Sequence, residues 1–99
     1  MTTQTYSVER EENDLGGRYV VHLGGGDEGE MTFRKTAGNV ITIDHTGVPP
    51  HYRGHGIAQL LVDRMIDDVR AAGTKVVPLC SYVVAQFRRH PEWSDLLAD

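Results

Sequence analysis

The sequence predicts an α+β fold: an antiparallel meander of strands, then one parallel strand pair joined by a helical crossover, with two main helices in all. Three observations carry that expectation. Up to about Ile43 the chain reads as short β-rich runs parted by glycine-containing turns. From Ile57 to Ala72 the apolar period changes to that of a helix. A second β-rich run, Lys75 to Cys80, follows the helix at the spacing of a crossover between parallel strands.

Tyr6 to Arg10 and Arg18 to Leu23 read as the first two strands, parted by a polar turn around Asn13-Asp14 and Gly16-Gly17. Gly24-Gly25-Gly26-Asp27 is the clearest breaker and should close a hairpin. Glu30 to Lys35 alternates, with Met31 and Phe33 on one face and Glu30, Thr32 and Arg34 on the other. Ala37-Gly38-Asn39 makes another turn. Val40-Ile41-Thr42-Ile43 then begins a strand expected to sit centrally, because β-branched residues fill it. Short loops between these four favour an antiparallel meander.

In the helix, Ile57, Ala58, Leu61, Val62, Met65, Ile66, Val69 and Ala72 share one side, and Gln59, Asp63, Asp67 and Arg70 share the other. Asp67-Asp68 reads as solvated surface. Gly73 is a plausible C-terminal cap. In Lys75 to Cys80, Pro78 signals an unpaired edge. Ser81 is the expected N-cap of a second helix running through Val83, Val84, Phe87 and His90, which Pro91 must stop. Glu92 to Leu97 is a short tail, with Trp93 and Leu96 docking on the core.

The 99 residues are expected to form a single domain, 1–99, since halves would be too small to bury a core. A composition of 39% hydrophobic and 24% charged residues is that of a soluble globular protein. The net charge of -4 argues against a general nucleic-acid binder. No apolar run is long enough to span a bilayer, and Met1 to Thr5 lacks a secretory signal's basic start, so no membrane partner is expected. One cysteine, Cys80, cannot form an internal disulfide, and a cytoplasmic location is the expectation.

The unusual residues lie between the central strand and the first helix, in Val48-Pro49-Pro50-His51-Tyr52-Arg53-Gly54-His55-Gly56-Ile57-Ala58. Two glycines at a helix mouth let the backbone approach a ligand and leave the first N–H groups pointing outward. Those donors and the positive end of the helix dipole suit a phosphate or pyrophosphate. Glycines that only form a tight turn are the alternative reading of the same spacing.

The run resembles the acetyl-CoA signature of the GNAT acetyltransferases, Q/R-x-x-G-x-G/A, with Arg53, Gly56 and Ala58 in its defining places. Val48, Pro50 and Tyr52 resemble the usual lead-in. Val77-Pro78-Leu79-Cys80-Ser81-Tyr82-Val83 and Arg89-His90-Pro91-Glu92-Trp93 are similar to one compact GNAT-like subgroup, a likeness running from about residue 30 to the end. The resemblance implies a truncated GNAT-like fold that binds acetyl-CoA between two splayed strands. Residues Arg53, Gly54, His55, Gly56, Ile57 and Ala58 would hold the pyrophosphate. Backbone near Thr46 and Val48 would hold the pantetheine arm, with an N–H near Val48 available to an oxyanion. Arg88-Arg89-His90 reads as a solvated face, with help to a 3′-phosphate as the alternative. Two positions depart from the subgroup. Gly47 stands where an acidic residue is usual, so no carboxylate base carries over there, and Ser81 stands where proline is frequent.

Three residues are candidates for catalysis. Cys80 precedes a helix N-terminus, which favours the thiolate; it reads as an acetyl acceptor or an acid for the leaving thiol, and otherwise as a small buried hydrophobe. Tyr82 stands close to where GNAT enzymes often keep a tyrosine acid, and otherwise is a half-buried aromatic. His45 follows the central strand and reads as a base, or as a surface histidine. His51 and His55 are four apart but straddle a glycine loop without a carboxylate cluster, so no metal site is expected.

The reaction so implied is acetyl transfer from acetyl-CoA to a primary amine on a small molecule or protein. The alternative is a non-catalytic CoA-binding module or regulatory interaction domain. The chain is shorter than typical GNAT enzymes, so the acceptor side should be open. That suits a protein amine, or a homodimer that supplies the missing wall.

Overall fold

In the computed structural model, which describes residues 6–36 and 38–98, five strands form one sheet in sequential order. They are β1 (Val8–Glu12), β2 (Gly16–Gly24), β3 (Asp27–Thr36), β4 (Val40–Gly47) and β5 (Lys75–Pro78). The first four pair antiparallel, and α1 (Ile57–Ala72) crosses from β4 to β5, which pair parallel. α2 (Ser81–Arg89) and a 3₁₀ turn, Pro91–Leu96, complete the order. The meander, the crossover and the two helices are therefore as expected. Ala37 and Met1 to Thr5 lie outside the described residues.

One cluster forms the core. Tyr19, Val21, Met31, Phe33, Ile41 and Ile43 supply its sheet side. α1 lays Ile57, Leu61, Val62, Met65, Ile66 and Val69 on them, each worth about 1.5–3 kcal/mol when fully buried. α2 and the C-terminal turn join the same cluster through Val83, Phe87, Trp93 and Leu96. Ala72, placed on the apolar stripe by periodicity, is exposed at the helix end. The other face of the sheet is polar, and an ion-pair web crosses it, with Arg18 bonded to Glu11, Glu28 and Glu30.

Several boundaries differ from the expectation, each for a local reason. β1 starts two residues later, and Gly16-Gly17 lie in β2 rather than in the turn. Asn13 causes this: its Oδ1 accepts the Leu15 and Gly16 N–H groups at 2.8 and 3.2 Å, turning the chain before the glycines. Ser81 is the first residue of α2, and Cys80, with extended φ and ψ, holds the N-cap place. His90 has left the helix and stacks on Trp93 at 4.0 Å. The outer edge of β5 is partly closed, since the Ala98 N–H donates to the Val76 carbonyl at 2.9 Å.

Asp68 is not solvated surface. It accepts the buried Tyr19 hydroxyl at 2.8 Å, with Arg64 at 3.1 Å and Arg10 at 3.3 Å completing the cluster. Helical periodicity marks which residues face the core, but it does not show that a core tyrosine needs an acceptor above it.

Candidate functional site

The site begins where β4 and β5 part. Their parallel pairing ends at Ile43 and Pro78. Pro78 has no N–H to continue the ladder, and the Ile43 carbonyl then accepts both the Leu79 and Cys80 N–H groups, at 3.0 and 3.2 Å. β4 runs on to Gly47 against β3 alone, past a bulge that pairs Phe33 with Ile43 but Thr32 with His45. A wedge opens between the end of β4 and the start of α2.

The loop from Val48 to Gly56 closes one end of the wedge. Its 3₁₀ turn, Pro50–Tyr52, was not anticipated; the Pro-Pro pair fixes its start. Tyr52 anchors it, the hydroxyl donating to the Leu23 carbonyl at 2.9 Å. Gly54 and Gly56 adopt φ of +83° and +78°, left-handed backbone that a side-chain-bearing residue takes up only with strain. Gly56 caps α1, whose first backbone bond runs from the Leu60 N–H to the Gly56 carbonyl. The N–H groups of Ile57, Ala58 and Gln59 therefore have no acceptor among the described residues. No acidic residue stands in that first turn. Gly29 on β3 lets the helix start sit this low, since a Cβ there would lie 2.7 Å from Ile57 Cγ2.

A cleft of about 550 Å³ joins these parts. β4 and its exit supply His45, Thr46, Gly47 and Val48; the loop supplies Tyr52, Arg53, Gly54 and Gly56; α1 supplies Ile57, Ala58 and Gln59; and α2 supplies Tyr82. Most of the residues named from the sequence are thus brought together. His55 is not among the lining residues: its N–H is bonded to the Tyr52 carbonyl at 3.2 Å and its ring meets Tyr52 edge-on. Gln59 was missed as a lining residue, because helical periodicity assigns it to the solvent side. Its signal is positional, as the third residue after the capping glycine.

Cys80 lies beside the cleft rather than in its wall, its Sγ in hydrogen-bond contact with Thr46 Oγ1 at 3.4 Å. Burial is the largest influence on the thiol and works to raise its pKa. It is outweighed by the Thr46 hydroxyl and by the backbone N–H groups of Val83, Tyr82 and Thr46, which favour the thiolate, so the thiol sits below its ordinary value. Tyr82 moves the other way. Burial raises its phenol and Asp63 adds to that, against Arg89, so the hydroxyl keeps its proton. His45 is exposed at the rim.

His51 only tilts against the Tyr52 ring. Among the described residues no group of three or more His, Cys, Asp or Glu side chains is placed to hold a metal ion. No described helix is long and apolar enough to cross a membrane.

A family model described as GCN5-related N-acetyl-transferase matches residues 18–96, which run from within β2 to the end of the C-terminal turn and include every part of the cleft.

Proposed function

The chain belongs to the GCN5-related N-acetyltransferase family, and on that premise we propose that it transfers an acetyl group from acetyl-CoA to a primary amine. The observation that carries this reading is the row of unpaired N–H groups at Ile57, Ala58 and Gln59, opened by two left-handed glycines at the mouth of a cleft. Those donors, the dipole of a sixteen-residue helix and the adjacent Arg53 fit a pyrophosphate. Arg53, Gly54, Gly56, Ile57 and Ala58 are assigned to it. His55 contributes through the turn it closes with Tyr52, not through a free N–H. Thr46 and Val48 hold the pantetheine arm, which leads the thioester towards Cys80 and Tyr82.

Tyr82, a phenol that stays protonated, is assigned to protonate the departing thiolate. Cys80 either carries the acetyl group between donor and acceptor or supports that proton transfer. A single acetyl-CoA-binding domain, acting in the cytoplasm on a small-molecule or protein amine without nucleic acid or membrane, fits the net charge of -4 and the lone cysteine.

Acetyl-CoA consumption measured with a panel of primary amines tests the reading, beside melting curves with and without CoA. Stabilisation by CoA together with turnover that falls in Tyr82→Phe supports an enzyme. Stabilisation without turnover leaves a coenzyme-binding module, and no stabilisation removes both.

A further inference from the structure

We propose that Tyr52 is a positioning residue for the coenzyme's diphosphate: its hydroxyl latches the loop to a bulge at Leu23, so that the β2–β3 hairpin sets where the loop stands. The inference rests on the coenzyme reading above and adds to it the element that holds the loop in place.

The loop's own bonds shape it without fixing its position. The Tyr52 N–H donates to the Pro49 carbonyl at 2.9 Å, the Arg53 N–H to Pro50 at 3.2 Å and the His55 N–H to Tyr52 at 3.2 Å, all inside the turn. The rings of His51 and His55 each lie 5.8 Å from the Tyr52 ring, centroid to centroid, and belong to the same local unit. The Tyr52 hydroxyl reaches outside that unit, across 29 positions of sequence, to the Leu23 carbonyl at 2.9 Å.

Leu23 can accept this bond because of an irregularity in its strand. Register pairs His22 with Glu28 and Gly24 with Asp27, which leaves Leu23 out of the ladder to β3. The pairing of β2 with β1 stops short of it, at Val21 with Val8. Leu23 is buried, and a main-chain carbonyl there without a donor would be costly. Gly24, Gly25 and Gly26, at φ of +95°, +62° and +85°, turn the chain directly after it. The bulge is thus built into the hairpin, and the loop supplies the donor it lacks.

The same hairpin supports the site at a second point. A Cβ on Gly29 would lie 2.7 Å from Ile57 Cγ2 and 3.7 Å from Val48 Cγ2, so β3 runs close beneath both ends of the loop. Gly26 at the hairpin tip shares a cavity of about 420 Å³ with Val48 and Pro49. Tyr52, Arg53 and Gly54 follow one another along the cleft wall, and a shift of the first is passed to the others through the backbone. Main-chain bonds to a phosphate depend steeply on distance and angle, so a loop released from the hairpin would grip the diphosphate less well.

Tyr52→Phe keeps the ring and removes the latch. Titration calorimetry with the full chain should show Kd raised by about 3- to 10-fold, by the same factor for CoA and for dephospho-CoA, which lacks the 3′-phosphate. Amide hydrogen exchange gives a readout that a merely stabilising bond would not move. Saturating CoA should slow exchange at Gly25, Gly26 and Asp27 in the wild type, and should not slow it in Tyr52→Phe. The wild-type measurement needs no variant and decides the matter if Tyr52→Phe does not fold. An unchanged Kd in the variant, a larger loss for CoA than for dephospho-CoA, no slowing in the CoA-saturated wild type, or slowing that persists in the variant would overturn the proposal. A wild type that binds no CoA would instead remove the coenzyme reading itself, and this inference with it.

Discussion

Cys80 and Thr46 meet side chain to side chain, Sγ to Oγ1 at 3.4 Å, across the gap where β4 and β5 have parted. The contact exists because Pro78 ends one strand while the bulge carries the other past it. It ties the strand on one wall of the cleft to the helix on the other.

That contact makes the thiol's acidity measurable. Iodoacetamide alkylation of the folded protein should show its inflection below the ordinary thiol value of about 8.5. Thr46→Val removes the hydroxyl that favours the thiolate and should move the inflection up. An inflection in Thr46→Val at or below that of the wild type would show that the hydroxyl contributes nothing.

Asp68 should make the fold sensitive to acid. Burial alone would raise its carboxyl, but hydrogen bonds from Tyr19, Arg64 and Arg10 hold it below its ordinary value. Because the folded-state value is the lower one, its stabilisation is complete above about pH 4, the unfolded carboxylate range, and is lost as pH falls through the depressed folded value. Asp68→Asn should lower stability at neutral pH by about 1–3 kcal/mol and flatten its acid dependence. Urea melts at a series of pH values measure both, and an unchanged slope in the variant would contradict the assignment.

Gly29 should tolerate no side chain while Ile57 stands over it. Gly29→Ala places a Cβ 2.7 Å from Ile57 Cγ2, on a side chain that is 1% exposed and has no room to retreat. A loss of about 1–3 kcal/mol is expected, with weaker CoA binding because the helix start must rise. Pairing it with Ile57→Ala should cost less than the sum of the two, and strict additivity in chemical denaturation would refute the close contact.

How much of this was legible depended on how local each cause was. The strand and helix periods located the meander, the crossover and the core residues of α1, because burial on one face leaves its repeat in the sequence. Gly54 and Gly56 marked the loop because left-handed backbone at those positions selects glycine, whereas Arg53 was marked only by its place in the signature. Asp68 and Gln59 were misread because the groups that give them meaning, Tyr19 and the loop opening, are distant in sequence or follow from three-dimensional placement. The strand shift at Asn13 turned on one side-chain oxygen, which a count of polar residues does not single out. His45 was visible as a candidate, yet the face of the sheet it takes depends on the bulge that sets the register of β4.

The grip of the α1 opening turn on a diphosphate is best examined by titration calorimetry of CoA into the wild type, Gly56→Val and Gly38→Val. Gly38 also has left-handed backbone, φ +72°, but lies in the turn at the opposite end of β4, so it controls for strain alone. Saturable CoA binding is expected in the wild type and in Gly38→Val, and none in Gly56→Val, whose side chain blocks the approach to the free N–H groups. Equal affinity in all three proteins would mean that CoA, if held, is held elsewhere.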